Sequence, residues 1–252
     1  MFIIEASDVK KTYTSGFLKR RRVEALKGIT LSIEKGEIFG FLGPNGAGKS
    51  TFLNILMGLL LPDSGEISIL GNRLRGSDYP MKLKKRMNMC SGNPNLPWCL
   101  TVRENLRFYA MLYDIASRTR EKRISGIIEE MGLSKYADTR FDELSTGNKQ
   151  KLSLAKSLIN EPEILLLDEP TIGLDPDISQ KIRVYIKKLH KEKGVTVILT
   201  THYMKEAEGL CGRIAFINNG EIKAQGTTDE LQQAASAANM EEMFIELANK
   251  QD

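Results

Sequence analysis

The sequence predicts an α/β fold, a mostly parallel sheet with helices between its strands and one all-helical segment inserted into it. Three short apolar runs, EIFGFL (37–42), EILLLDE (163–169) and VTVILTTH (195–202), are bounded by turn residues and flanked by helical pattern. Such runs suit strands buried on both faces of a parallel sheet. Residues 91–160 are by contrast almost wholly helical in pattern, as in TVRENLRFYAMLY and REKRISGIIEEMGL. These changes of pattern divide the chain into an α/β core (1–90 and 161–226), a helical segment (91–160) and a helical tail (227–252).

The elements follow in order. The basic run KRRR (19–22), beside Ser15-Gly16, reads as a solvated, loop-like insertion over residues 14–22. EIFGFL then leads through a glycine-rich turn into STFLNILMGLL, an apolar helix. In LSTGNKQKLSLAKSL (144–158), Leu152, Ala155 and Leu158, with Ile159 after them, fall at the spacing of one buried helical face. Ser145 supplies an N-cap, and Asn160-Glu161-Pro162 ends the pattern. The first turn, Thr146-Gly147-Asn148, carries no acid, and Lys149 follows it. Helix starts favour negative charge, so an anion from elsewhere is expected there. RIAFINNGEIKAQG reads as a hairpin turning at Asn219-Gly220.

Composition narrows the class. Of 252 residues, 41 % are apolar and 27 % charged, the balance of a soluble globular protein. No apolar run reaches the roughly 18–20 residues of a membrane span. MFIIEASDVKK has acids where a secretory signal would stay apolar, so a cytosolic protein is expected. Cys90, Cys99 and Cys211 lack zinc-type spacing and read as free thiols. A net charge of +4 permits an acidic ligand, and no nucleic acid partner is expected.

The chemistry gathers where the apolar runs end. GPNGAGKS (43–50) matches the phosphate-binding pattern G-x-x-x-x-G-K-[ST], between a strand and a helix. Gly43, Pro44, Asn45, Gly46, Ala47 and Gly48 let backbone N–H groups close around phosphates. Lys49 reaches the outer phosphates, Ser50 can ligate Mg²⁺, and Thr51 follows in the helix. ILLLDEP (164–170) delivers Asp168 and Glu169 to the strand end where ligands bind in open α/β sheets. Asp168 suits Mg²⁺ or its water, and Glu169 suits polarising an attacking water. His202 ends the third run and could bond a terminal phosphate oxygen.

Together these motifs resemble the nucleotide-binding subunit of an ATP-binding cassette (ABC) transporter, over nearly the whole chain. The phosphate loop, LSTGNKQ as signature, ILLLDEP as Walker B, GLDP (173–176) as D-loop and His202 as switch histidine stand in family order. The resemblance implies a P-loop NTPase (RecA-like) core, an N-terminal antiparallel β-subdomain and an inserted helical subdomain. It implies ATP and Mg²⁺ as ligands and ATP hydrolysis as the reaction. Tyr13 falls where the family stacks an aromatic on adenine, although nine residues separate it from Val23, where the motif resumes. In this family two cassettes face head to tail, so Ser145 and Gly147 would meet the γ-phosphate held by a second ABC subunit. Asp175 would act across the same interface. LSTG, SGNPNL, TVRENL and MEEMFIEL look most like exporters whose membrane half is a separate ABC-2-type permease. The protein would then sit on the inner face of the cell membrane. The alternative is a soluble ABC ATPase of an assembly machine such as iron–sulfur cluster assembly. Ser145 follows Ser50 by only 95 positions, which excludes the long coiled coil of chromosome-maintenance members.

One stretch departs from the family. Where most cassettes place a metal-contacting glutamine, nine residues before Thr101, this chain has Gly92. Asn93 is the nearest amide, and it is either a substitute metal contact or only a turn residue. Leu96 and Trp98, on either side of Pro97, are expected to line the groove that receives a short helix of the permease.

Overall fold

The computed structural model describes residues 1–15, 21–74 and 79–235. Lys19 and Arg20 of the basic run, and MEEMFIEL in the tail, lie outside the described residues.

The strands, in chain order, are β1 (Phe2–Ser15), β2 (Arg21–Glu34), β3 (Ile38–Leu42), β4 (Ser64–Ile69), β5 (Asn72–Leu74), β6 (Met87–Ser91), β7 (Ile164–Asp168), β8 (Thr196–Thr201), β9 (Arg213–Asn218) and β10 (Glu221–Gly226). The helices are α1 (Lys49–Leu56), α2 (Met81–Lys84), α3 (Val102–Leu112), α4 (Ser117–Glu130), α5 (Thr146–Leu158), α6 (Pro176–Lys193), α7 (Met204–Leu210) and α8 (Thr228–Ala235). Backbone contacts group them into two units, Met1–Leu83 with the chain from Thr196, and Lys84–Val195.

In the first unit, β1 lies antiparallel between β2 and β4, and β5 closes the far edge. This is the antiparallel subdomain that the resemblance implied. The expected loop over 14–22 is corrected where it is described: Tyr13 pairs with Val23, Thr14 with Arg22 and Ser15 with Arg21. The threonines, Tyr13 and Val23 are strand formers, and their cross-strand pairing overrides the loop signal of the charges. Strand β3 pairs in parallel with β8 on one side and β9 on the other, and β10 returns antiparallel along β9. Every residue of β3 and β8 is buried, which is why each reads as a run with an apolar centre. Phe41 packs against Phe39 and, from α1, Phe52, with ring centroids 5.3 and 5.2 Å apart. The β9–β10 turn is made at Asn219 and Gly220, both at positive φ (48° and 79°).

In the second unit, β6 and β7 pair in parallel, with Ser91 opposite Asp168. Strand β6 escapes sequence pattern because it has no clean period: Asn88 is buried, its Nδ2 donating to Asn160 Oδ1 at 2.8 Å. A satisfied buried amide of this kind looks like a loop residue in sequence. Helices α3, α4 and α5 pack on one another, and α5 also packs on β6. Leu152, Ala155, Leu158 and Ile159 are all buried, as their spacing predicts. Among the described residues no helix is long and apolar enough to cross a membrane.

Candidate functional site

The first unit builds the loop expected to hold phosphate largely from backbone. Gly43 leaves the end of β3 and donates its N–H to Thr201 O at 3.3 Å, so the loop starts at the end of β8 as well. Gly48 is the cap of α1 at φ +105°, and a Cβ there would lie 2.4 Å from Ala25 O. Only glycine fits both demands. Helix α1 has no acidic residue in its first turn, and the cap offers no side-chain bond to its N–H groups. Lys49 is buried, with Nζ donating to Gly43 O (2.7 Å) and Pro44 O (3.0 Å), so its ammonium sits inside the loop. Ser50 follows and is exposed. From β1, half-exposed Tyr13 brings its hydroxyl to 3.4 Å from Thr51 Oγ1. His202 is the residue after β8, with its ring 4.1 Å from that of Tyr203. The first unit therefore brings Tyr13, the loop 43–51 and the strand end at His202 to one edge.

The second unit carries the other group. Asp168 ends β7, and Glu169 follows at φ +50°, a left-handed conformation that costs a non-glycine residue about 1–2 kcal/mol. Ser145 caps α5, its hydroxyl accepting from Asn148 N at 3.4 Å, and the first turn has no acid. Gly147 is buried, and a Cβ there would lie 2.4 Å from Ile178 Cδ1 on α6. Asp175 is exposed at the start of α6.

The stretch after β6 is where the structure adds most. A Cβ on Gly92 would lie 2.4 Å from Glu169 O and 2.9 Å from Asp168 O. The family's glutamine has no room here, because the backbone itself fills its place. Asn93 is exposed, and its N–H donates to Ser91 Oγ at 3.2 Å, the bonding of a turn. Leu96 is buried and pins the loop, whereas Trp98 is 64 % exposed. The loop under Trp98 is held by Asn105, whose Nδ2 donates to Pro97 O, Leu100 O and Thr101 O at 3.0–3.2 Å. Arg140 lies over the indole, 5.7 Å from its centroid.

Residues that sequence reasoning missed lie on α5. Gln150, Ser153 and Ser157 are buried polar side chains at i, i+3 and i+7 on the face toward β6. That spacing was the available signal. Lys156 is also largely enclosed; its Nζ donates to Met89 O at 3.0 Å, and burial lowers its pKa. Burial pushes the Cys90 thiol up to about 11, only partly countered by its bond to Ser153 Oγ, which marks a packed thiol and not a nucleophile.

As for the metal, the Ser50 hydroxyl and the Asp168 carboxylate are hard oxygen donors, the type that suits Mg²⁺. Among the described residues no cluster of three or more His, Cys, Asp or Glu forms a metal site of another kind.

Comparison with known proteins identifies the family. Residues 26–172 match the family model described as "ABC transporter". The chain is 40 % identical over 257 residues to "Probable multidrug ABC transporter ATP-binding protein YbhF" of Escherichia coli (strain K12), covering 99 % of this chain and 42 % of that protein. This chain thus spans about two fifths of that relative's length. It is 38 % identical to the linearmycin resistance ATP-binding protein LnrL of Bacillus subtilis (strain 168), covering 91 % of this chain and 70 % of that one. Among solved structures it resembles a dimeric ATP-binding cassette in a post-hydrolysis state bound to ADP and Pi, with a TM-score of 0.80 and 30 % identity over 89 % of this chain and 98 % of the other. On this match and these relatives, the chain belongs to the ABC transporter family, as an ATP-binding cassette.

Proposed function

We propose that this protein binds ATP with Mg²⁺ and hydrolyses it to drive export through a separate integral membrane permease, working as a head-to-tail pair with a second cassette. The observation that carries the proposal is the glycine-capped start of α1 closed around Lys49. A backbone cradle with an enclosed ammonium and no acid in its first turn is built for polyphosphate.

Within it, Tyr13 stacks on the base, Gly43 to Ser50 hold the phosphates and Lys49 meets the charge on the outer two. Ser50 and Asp168 would each offer an oxygen to Mg²⁺, which would neutralise phosphate charge. Glu169 accepts a proton from the attacking water, and its strained backbone fixes where the carboxylate points. His202 donates to a terminal phosphate oxygen. The helix start at Ser145 and Gly147 supplies N–H groups to the γ-phosphate on the second cassette, and Asp175 lies at that same interface. ATP thereby favours the closed pair, and hydrolysis removes the bridging group.

Trp98 is the proposed anchor for the permease, which would hold the protein to the inner membrane face. Its exposure on a loop tied down by Asn105 and Leu96 supports this reading, since exposed aromatics on rigid loops make strong contact points. Both relatives described above carry transporter or resistance names, and neither that of an assembly ATPase. The decisive experiment is Mg²⁺-dependent ATP hydrolysis by the protein alone and with its membrane partner. Turnover that needs Lys49 supports the proposal; turnover that survives Lys49→Ala sinks it.

A further inference from the structure

The buried polar side chains of α5 do different jobs. Ser157 Oγ donates back to Leu154 O of its own helix at 2.7 Å, and Ser153 Oγ accepts from the Cys90 thiol at 3.4 Å. Gln150 instead reaches main chain, donating Nε2 to Ser91 O at 3.2 Å. It is 2 % exposed, and its Oε1 is buried without a partner. Its Nε2 also donates, more weakly, to Cys90 Sγ at 3.7 Å. Burying an amide with its acceptor unmet is unfavourable unless its donor bonds have a use. The next residue after Ser91 is Gly92, pressed so closely on the peptide of Asp168 and Glu169 that a Cβ would meet their carbonyl oxygens. Gln150 lies five residues beyond the Ser145 cap, about 7.5 Å along the helix.

We propose that Gln150 is a positioning residue for hydrolysis: it ties the signature helix through the Ser91–Gly92 backbone to the peptide that aims Glu169. This deepens the reading of Glu169 as proton acceptor and rests on it. Side chains at an interface absorb small shifts by changing rotamer, but Gly92 has none to move. A displacement of α5 at its phosphate-facing end therefore passes from Gln150 to Ser91 O and on to the Glu169 carbonyl, backbone against backbone. The role that a long side chain in this loop would play is divided here between a glycine and a glutamine on the neighbouring helix.

The test compares Gln150→Met, Gln150→Asn, Gly92→Ala and the Gln150→Met/Gly92→Ala pair in the full chain. Methionine keeps the volume and loses the donor, while asparagine keeps the donor and loses the reach. Gln150→Met and Gln150→Asn should each lower kcat about tenfold, the worth of one good hydrogen bond, with KM and nucleotide affinity unchanged. Gly92→Ala should lower kcat further, and the pair should be no worse than Gly92→Ala alone, because both act through one contact. In a Glu169→Gln background, Gln150→Met should leave the ATP-driven pair intact. Wild-type kcat in Gln150→Met and Gln150→Asn overturns the proposal. Losses that multiply in the pair, or a kcat loss matched by loss of ATP affinity, also overturn it. Should Gly92→Ala not fold, the two Gln150 variants decide alone. Normal turnover in Glu169→Gln would instead remove the proton-acceptor reading on which the proposal stands.

Discussion

Two helix starts in this protein look alike in sequence and differ in construction. Helices α1 and α5 both lack an acid in the first turn. At α1 the cap is a left-handed glycine inside a loop that already encloses its own cation, Lys49. At α5 the cap is an exposed serine, and the glycine of the first turn is spent on packing against Ile178. The first is proposed as a phosphate cradle with its own cation. The second has a side-chain cap and no such loop, which fits the proposal that it is half of a site completed by a second chain. Backbone dipole and unpaired N–H groups are common to both, so what separates them is what surrounds the start.

That contrast yields tests of decreasing size. The largest effect is expected from Glu169→Gln, which keeps shape but not basicity: turnover should fall by about 10²–10⁴-fold, while ATP still binds and holds the pair together in size-exclusion chromatography. Near wild-type hydrolysis would break the assignment. Next, Lys49→Ala should abolish nucleotide binding in its own chain, whereas Gly147→Asp should leave binding intact and abolish ATP-driven association, because a carboxylate and bulk then face phosphate and Ile178. Mixing the two variants leaves one composite site with both halves intact. Failure of the mixture to associate with ATP would count against head-to-tail pairing.

Smaller effects sharpen the picture. Trp98→Ala should weaken co-purification with the permease in detergent and lower permease-stimulated ATPase several-fold, with ATP binding by the isolated subunit unchanged; equal co-purification would remove the docking role. Asn93→Ala should alter Mg²⁺-dependent hydrolysis little if its turn bonding to Ser91 is its whole function, and a clear loss would place its amide at the metal. Smallest of all, Ser145→Ala removes one cap bond, about 1 kcal/mol, and should lower the thermal midpoint by about 2–4 °C. A much larger kinetic than thermal effect would show that the hydroxyl serves phosphate as well as the helix.

Much of this was legible in the chain itself. Strands β3, β7 and β8 were plain to read because the apolar residues at their centres are buried. The phosphate loop was legible because its glycines answer to local backbone demands, a positive φ at Gly46 and Gly48 and close approach to Ala25 O. Local sequence also determines the Ser145 cap and the Asn219-Gly220 turn, since both depend on residues a few positions apart. Tertiary structure alone decided the rest. The basic stretch around residue 21 extends a hairpin because its strand partners lie across the sheet, where no charge run announces them. Strand β6 exists because Asn88 finds Asn160, 72 positions away. Gly92 fills the place of a glutamine because the Glu169 carbonyl stands against it, and Gln150 matters because Ser91 O lies within its reach. Contacts of that kind join residues distant in sequence through packing and single hydrogen bonds, and one-dimensional pattern holds no record of them.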